Sequence, residues 1–367
     1  MNWIKILCSQ LMIGILLFTI VDYTYTNHFL SLNPFDPEIE KKYRVSNQFF
    51  HHSLKPNFKG KSMWGRNIYE ICTDSNGFKS KCNNNFEDNK NFEIGFIGDS
   101  FTEAVGLPFD ESFVGIFAEN NQNLKIANLG VSSYSPTIYL EKIKWHLDNG
   151  YTFKHIIVFV DISDIQDEDH YSNYANFRKD LTIIHQENLD KIVNLKTFIK
   201  KNFYLSFFAY NLLLNNLKNE SENSDSLDSI FTQSRSSWTF DQNSQGYENL
   251  GIQGSINRAL NKLEKLYLIL EQNNIKMSVA VYPWPAQLEE IKRNPNIQNM
   301  QSQIWEKFCL GKCTNFIDLF SIFEKEINEN SVEYVYSKYY INGDVHFNYE
   351  GNKLIYEQLE ENLVISK

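Results

Sequence analysis

A chain of 367 residues has room for one α/β domain with additions, not for two large enzymes. Hydrophobic residues make up 42%, enough for a full core, and no internal repeat is visible, which excludes solenoids and propellers. The formal net charge of −10 argues against nucleic acid as a partner and against electrostatic attraction to an anionic membrane surface.

The amino terminus is apolar from about Ile6 to Val21, with Lys5 before it and Tyr23 and Tyr25 after it, residues that suit an interfacial belt. From Trp3 to Tyr25 the segment is long enough to cross a hydrocarbon core, which takes about 20 residues. A cleavable signal peptide is the rival reading, but no small-x-small site precedes Asp22. We therefore expect residues 1–26 to be an uncleaved single-pass anchor in an inner membrane, with the body of the protein periplasmic. Lys41, Lys42 and Arg44 on that outer side dilute the charge asymmetry.

Residues 27–90 are rich in Asn, Gly, Pro and other polar residues and read as a membrane-proximal extension. The adjacent His51 and His52 would point to opposite faces of a strand, so a shared metal is not expected. Of the five cysteines, Cys8 lies in the apolar segment and reads as a membrane-facing thiol. The others form two local pairs, Cys72 with Cys82 and Cys309 with Cys313. Each pair suits a small disulfide loop in an oxidising compartment. A zinc site is the alternative, although these spacings do not match the usual knuckles.

The main domain is expected over 91–367. Residues 92–97 (FEIGFI) read as a buried strand, and Gly98-Asp99-Ser100-Phe101-Thr102-Glu103 follows directly. Serine at the carboxyl end of such a strand, before a turn and a helix, sits where open α/β sheets place their active sites. The same tripeptide is also ordinary helix-capping composition. Pro108-Phe109-Asp110 opens a helix with Phe113, Ile116 and Phe117 on one face. The run Lys125-Ile126-Ala127 leads to Asn128-Leu129-Gly130. Ser135-Pro136 caps a helix that turns Leu140, Ile143 and Leu147 inward and ends near Gly150. The strand HIIVFV (155–160) runs into Asp161-Ile162-Ser163-Asp164. Residues 166–255 form an insertion, helical and aromatic through Leu214, then dominated by Asn, Ser, Asp and Gln, the composition of a long loop. A periodic helix (Ile256, Leu260, Leu263, Leu266, Leu270) precedes a strand from Lys276 to Tyr282. After it, Tyr282-Pro283-Trp284-Pro285 offers Trp284 as a pocket wall or as part of a rigid turn. Asn315–Leu319 reads as the last strand. Strands alternating with helices argue for a parallel sheet covered on both faces.

Near the carboxyl end stands Gly343-Asp344-Val345-His346-Phe347-Asn348-Tyr349-Glu350-Gly351. In an extended segment Asp344 and His346 face one side, so the carboxylate can fix the imidazole tautomer and stabilise the imidazolium. Asn348 reads as the cap of a helix with Ile355, Leu359 and Leu363 on one face.

The blocks that begin at Gly98, Asn128 and Gly343 together resemble the SGNH (GDSL-type) hydrolase superfamily, over roughly residues 92–165 and 275–365. The resemblance implies a three-layer α/β/α fold with a central parallel sheet, flavodoxin-like, behind the amino-terminal membrane helix. It implies Ser100 as nucleophile, His346 as base and Asp344 as its orienting acid. The oxyanion hole would come from the N–H groups of Ser100 and Gly130, with Ser163 standing where the family has an asparagine donor. Asp161 replaces the usual glycine of that block, and Asp164 matches its last residue. Asp99, Asp164 and Trp284 are the expected supporting positions of the pocket. The single residue between Asp344 and His346 is more like membrane-anchored members that handle O-acetyl groups on bacterial polysaccharides. Esterase or deacetylase action on an envelope or extracellular glycan is thus expected, with neither metal nor organic cofactor. The substrate would be an acylated carbohydrate or other small ester, and partners in a polysaccharide assembly system would fit. An O-acyltransferase of the same fold, and a catalytically inactive glycan-binding or assembly protein, are the alternatives.

Overall fold

The computed structural model describes residues 2–30, 32–36, 38–65, 67–83, 89–172, 195–218, 234–241, 243–244 and 250–363. The chain separates into two compact units that do not follow sequence order. One is Met1–Lys42 with Ile183–Ser224, and the other is Tyr43–Thr182 with Asp225–Lys367. Residues 43–90, read from sequence as part of a membrane-proximal extension, thus fall in the larger unit, and part of the 166–255 insertion falls in the smaller one.

In the smaller unit, helix α1 (Asn2–Thr24) continues as a wider turn to Phe29. The stretch Trp3–Phe29 is long and apolar enough to cross a membrane. Asp22, near its end, caps the helix Tyr204–Lys218. Its carboxylate accepts the Leu205 and Ser206 N–H groups, both at 2.8 Å, and the Ser206 hydroxyl at 2.6 Å. Cys8 is a free, exposed thiol in α1.

Among the described residues, the larger unit holds three sheets. Strands β1 (Arg44–Asn47) and β2 (His51–Leu54) form one antiparallel hairpin, and β3 (Lys59–Trp64) and β4 (Asn67–Cys72) form another. The central sheet contains β5 (Asn91–Ile97), β6 (Ile126–Asn128), β7 (Thr152–Val160), β8 (Lys276–Val281) and β9 (Asn315–Asp318). All its pairings are parallel, in the order β6-β5-β7-β8-β9. The first strand of this sheet therefore lies between the second and the third. Chain connections leave β5 and β7 in opposite directions, which opens a crevice at their carboxyl ends.

Helices flank this sheet and complete an α/β/α sandwich. Phe113 and Phe117 of α3 (Phe113–Asn120) pack on Phe96 of β5, and α3 touches the carboxyl-terminal helix Tyr349–Asn362. The helix Gly251–Gln272 packs on α4 (Pro136–Asp148) and α5 (Ser163–Ser172). Of the expected inward faces, Leu140 and Ile143, Ile256, Leu263, Leu266 and Leu270, and Ile355, Leu359 and Leu363 are buried, while Leu147 and Leu260 are half-buried.

Two helix starts differ from the sequence reading. Phe109–Glu111 is a separate tight turn, and α3 begins only after Ser112, whose Oγ accepts the Gly115 N–H at 3.0 Å. Ser135 does not cap α4 with its own side chain. Its hydroxyl donates to Glu168 at 2.7 Å, and Glu168 itself accepts the Thr137 N–H at 2.5 Å. Asn348 does cap the last helix, accepting the Gly351 N–H at 3.1 Å. Both expected disulfides are present, Cys72–Cys82 and Cys309–Cys313, so these cysteines do not form a zinc site. Of the insertion expected as a long loop, the described part includes a turn at Ser234–Thr239, which buries Trp238, and the start of the helix from Gly251. Residues 173–194 and 219–233 lie outside the described residues.

Candidate active site

Three loops at the carboxyl edge of the sheet, one after each of β5, β7 and β8, carry Ser100, Asp161 to Ser163, and Tyr282 to Trp284. Ser100 opens α2 (Ser100–Glu103), so its N–H belongs to the first turn and has no partner within the helix. Asp99 caps that turn by accepting the Phe101 N–H at 3.0 Å. Gly98 is obligatory there, because a Cβ would sit 2.2 Å from Thr102 Oγ1.

From the other end of the chain, the loop after Tyr340 brings His346 Nε2 to 2.7 Å from Ser100 Oγ. His346 Nδ1 bonds Asp344 Oδ1, which also accepts the His346 main-chain N–H at 2.9 Å. The ionised carboxylate can only accept. Nδ1 therefore carries the ring proton, and Nε2 is left as an acceptor for the serine hydroxyl. Asp344 and His346 meet through a bend, not the extended segment expected from their spacing. Burial raises the Asp344 pKa, but hydrogen bonds and charge from His346, with a further bond from Trp64, outweigh it and hold the carboxyl below its ordinary value. Phe101 packs on the His346 ring with centroids 4.5 Å apart.

These groups line a cleft of about 340 Å³ shared by Trp64, Ser132, Ser133, Asp167, Arg235 and Trp284. Among the positions expected from sequence, Ser100, Asp344, His346, Ser163, Asp99 and Trp284 come together here. Two of the expected oxyanion donors are otherwise engaged. The Gly130 N–H donates to Asn128 Oδ1 at 3.0 Å, and the glycine is required for close approach, since a Cβ would lie 2.6 Å from Thr102 Cβ. The Ser163 hydroxyl donates to Asp161 Oδ2 at 2.7 Å. Asp164 does not line the cleft. It is fully buried and accepts the Tyr139 hydroxyl at 2.9 Å.

Sequence reasoning missed Ser133, three residues beyond Gly130. Its φ is +63°, it lines the cleft, and its N–H makes no hydrogen bond among the described residues. Serine carries no signal for left-handed backbone, so nothing in the sequence marked it. It also missed the part played by residues 43–64. Arg44 forms a two-pronged ion pair with Glu103 of α2, both N–O distances 2.8 Å, and Glu103 also accepts the Ser132 N–H at 2.7 Å. His52 Nε2 bonds the Ser132 carbonyl at 2.7 Å. His51 and His52 do not point apart as a regular strand requires. The φ of +70° at His51 brings their Nδ1 atoms to 2.6 Å.

Behind Ser100 the site is acidic. Asp99 accepts the Tyr282 hydroxyl at 3.1 Å, and Asp161 accepts the Trp284 indole N–H at 2.7 Å. Burial raises the pKa of both, and for Asp99 the neighbouring Asp161 charge raises it further. Burial also brings Asp167 to about 7, against the opposing pull of Arg235. The described residues contain no group of three or more His, Cys, Asp or Glu side chains fit to hold a metal ion.

No family model matches the chain, and no curated protein matches it. Solved structures to which it is similar include the esterase EstA from Pseudoalteromonas, at 10% identity, with 74% of this chain and 96% of that chain covered and a TM-score of 0.38. A G-D-S-L family lipolytic protein from Veillonella parvula matches at 12% identity over 73% and 96%, TM-score 0.38. A catalytic variant of the acetylxylan esterase Axe2 from Geobacillus stearothermophilus matches at 10% identity over 75% and 95%, TM-score 0.41.

Proposed function

We propose that this protein is a serine-dependent acyl-ester hydrolase that deacylates a glycan at the outer face of an inner membrane. The observation that carries this reading is the continuous line of hydrogen bonds from Ser100 Oγ through His346 to Asp344, set in a cleft at the sheet's crevice. Ser100 Oγ attacks the ester carbonyl while its proton passes to His346 Nε2. His346 then returns that proton to the leaving alcohol, and water repeats the sequence to free the acid. Asp344 holds the tautomer that makes Nε2 the base and offsets the charge of the imidazolium. The N–H groups of Ser100 and Ser133 are the oxyanion donors. A donor of this kind is worth about 3–4 kcal/mol of transition-state stabilisation.

Location at a membrane is supported by Trp3–Phe29. A carbohydrate substrate is supported by a cleft walled by two tryptophans, Trp64 and Trp284, with Arg235 and Asp167 as polar partners. An assembly system for an envelope polysaccharide is the setting in which such a substrate and further protein partners occur.

The full chain in detergent should release nitrophenol from 4-nitrophenyl acetate, and Ser100→Ala should abolish the release. Equal rates for the two proteins would overturn the enzyme reading in favour of a glycan-binding role. Adding an unacetylated oligosaccharide separates water from a sugar hydroxyl as acceptor. Acetate alone supports hydrolysis, and acetylated oligosaccharide detected by mass spectrometry assigns the protein as an O-acyltransferase.

A further inference from the structure

We propose that Trp64, on the hairpin that precedes the central sheet, is a positioning residue of this site and acts through Asp344. The inference rests on the serine-hydrolase reading above and adds a residue to it.

The Trp64 indole N–H donates to Asp344 Oδ2 at 2.9 Å. The other oxygen, Oδ1, takes both His346 hydrogen bonds. All three donors converge on one carboxylate, which fixes its plane and gives each oxygen a separate task. The Trp64 ring also stands edge-on to the His346 ring, with centroids 5.2 Å apart and an interplanar angle of 86°. Imidazole rotation is therefore opposed by Trp64 on one contact and by Phe101 on another. Beside Trp64, Gly106 has a φ of +86°, and a Cβ there would lie 2.8 Å from Ile341 and in ordinary contact with Trp64 at 3.5 Å. Trp64 ends β3 opposite Asn67, and the Cys72–Cys82 disulfide closes the chain just beyond β4.

Two consequences separate an acting Trp64 from a mere wall of the cleft. The indole N–H draws charge away from the carboxylate. Without it Asp344 is more basic, the His346 imidazolium is better stabilised, and a higher pH is needed to free the base. The geometry also concerns the chemical step more than substrate binding, so kcat falls and KM holds.

The test measures kcat, KM and the pH profile of kcat/KM for 4-nitrophenyl acetate with the full chain in detergent. Trp64→Phe keeps a ring and loses the donor. We expect kcat to fall about ten-fold, the scale on which such supporting hydrogen bonds act, KM to stay within two-fold (roughly 0.4 kcal/mol), and the acid limb to move to higher pH. In an Asp344→Ala background, which has no side-chain acceptor, the same substitution should cost nothing more, because its target is gone. An undisplaced acid limb with a raised KM, or an equal loss in both backgrounds, overturns the proposal. Should Trp64→Phe not fold, Trp64→Leu also lacks the donor. An acid limb at higher pH in that variant supports the inference, and a wild-type one refutes it. Ser100→Ala is run in parallel. If it stays active the serine reading itself fails, and if it is inactive while Trp64→Phe behaves as wild type, only the role of Trp64 falls.

Discussion

Removing the Glu103 carboxylate should unsettle both stability and chemistry. Glu103 is fully buried on α2 and accepts three hydrogen bonds, two from Arg44 and one from the Ser132 N–H. In Glu103→Ala the Arg44 guanidinium, whose side chain is 15% exposed, is left largely buried and without this partner. Breaking a buried pair from one side costs about 3–5 kcal/mol, and an orphaned Ser132 N–H accounts for about 1–3 kcal/mol that overlaps with it. A loss near 4 kcal/mol is therefore expected (on the order of the buried-pair figure), read as the shift in guanidinium unfolding followed by tryptophan fluorescence. Replacing both partners by apolar residues, Glu103→Leu with Arg44→Met, should recover part of it, because the Arg44 charge is gone, while the Ser132 N–H stays unpaired and Lys79 and Lys142 lose a nearby countercharge. The loop that carries Ser133 is also released in Glu103→Ala, and kcat should fall toward the about 10²-fold loss typical of one missing oxyanion donor. A stability loss below about 1 kcal/mol would show that Arg44 swings into water and that the pair counts no more than a surface one, which would refute the reasoning.

Two other outcomes follow from the packing. Gly130→Ala should destabilise the fold by about 1–3 kcal/mol through overpacking, because its Cβ would meet Thr102 Cβ and the Glu103 nitrogen at 2.6 and 2.7 Å. Thermal unfolding measures this, and an unchanged midpoint would mean that α2 gives way freely. Burial, aided by the Lys142 charge, brings the His146 imidazole down from 6.5 to about 3. Between those values the unfolded chain binds a proton that the folded chain does not, so stability must decline as pH falls from 6.5 toward 3, by at most about 1.4 kcal/mol per pH unit for this group. Urea unfolding across that range should show a shallower decline in His146→Phe, and an unaltered slope would exclude His146 as a source.

The central sheet was legible because its strands are continuous apolar runs bounded by polar turns, as in FEIGFI and HIIVFV. Ser100 and His346 were legible because each stands in a short block with its own turn chemistry. What escaped was everything held across long separations. The bond between Trp64 and Asp344 spans 280 positions, and the bond from Leu205 to Asp22 spans 183, with no periodicity to announce either. Buried charge left no mark in the sequence either. Lys79 and Lys142 are fully buried, where desolvation lowers each ammonium to about 7. Lys79 Nζ donates to the Ala104 and Leu107 carbonyls at 2.8 and 2.6 Å, and Lys142 Nζ to the Leu129 carbonyl at 2.9 Å. They serve as internal ties for the loops around α2 and β6. Gly130 was expected as a donor through the family resemblance, whereas here its N–H is taken by Asn128 Oδ1 and the missing side chain lets two segments touch.

The first hairpins set the smallest piece of this chain that can work. A shortened protein beginning at residue 91 would keep every strand of the central sheet together with Ser100, Asp344 and His346. It would lack the guanidinium that holds Glu103, the imidazole on the Ser132 carbonyl and the indole on Asp344. Glu103, the Ser132 carbonyl and Asp344 would each lose a partner that the hairpins supply, so minimal-fragment and domain-exchange experiments have to start at Tyr43.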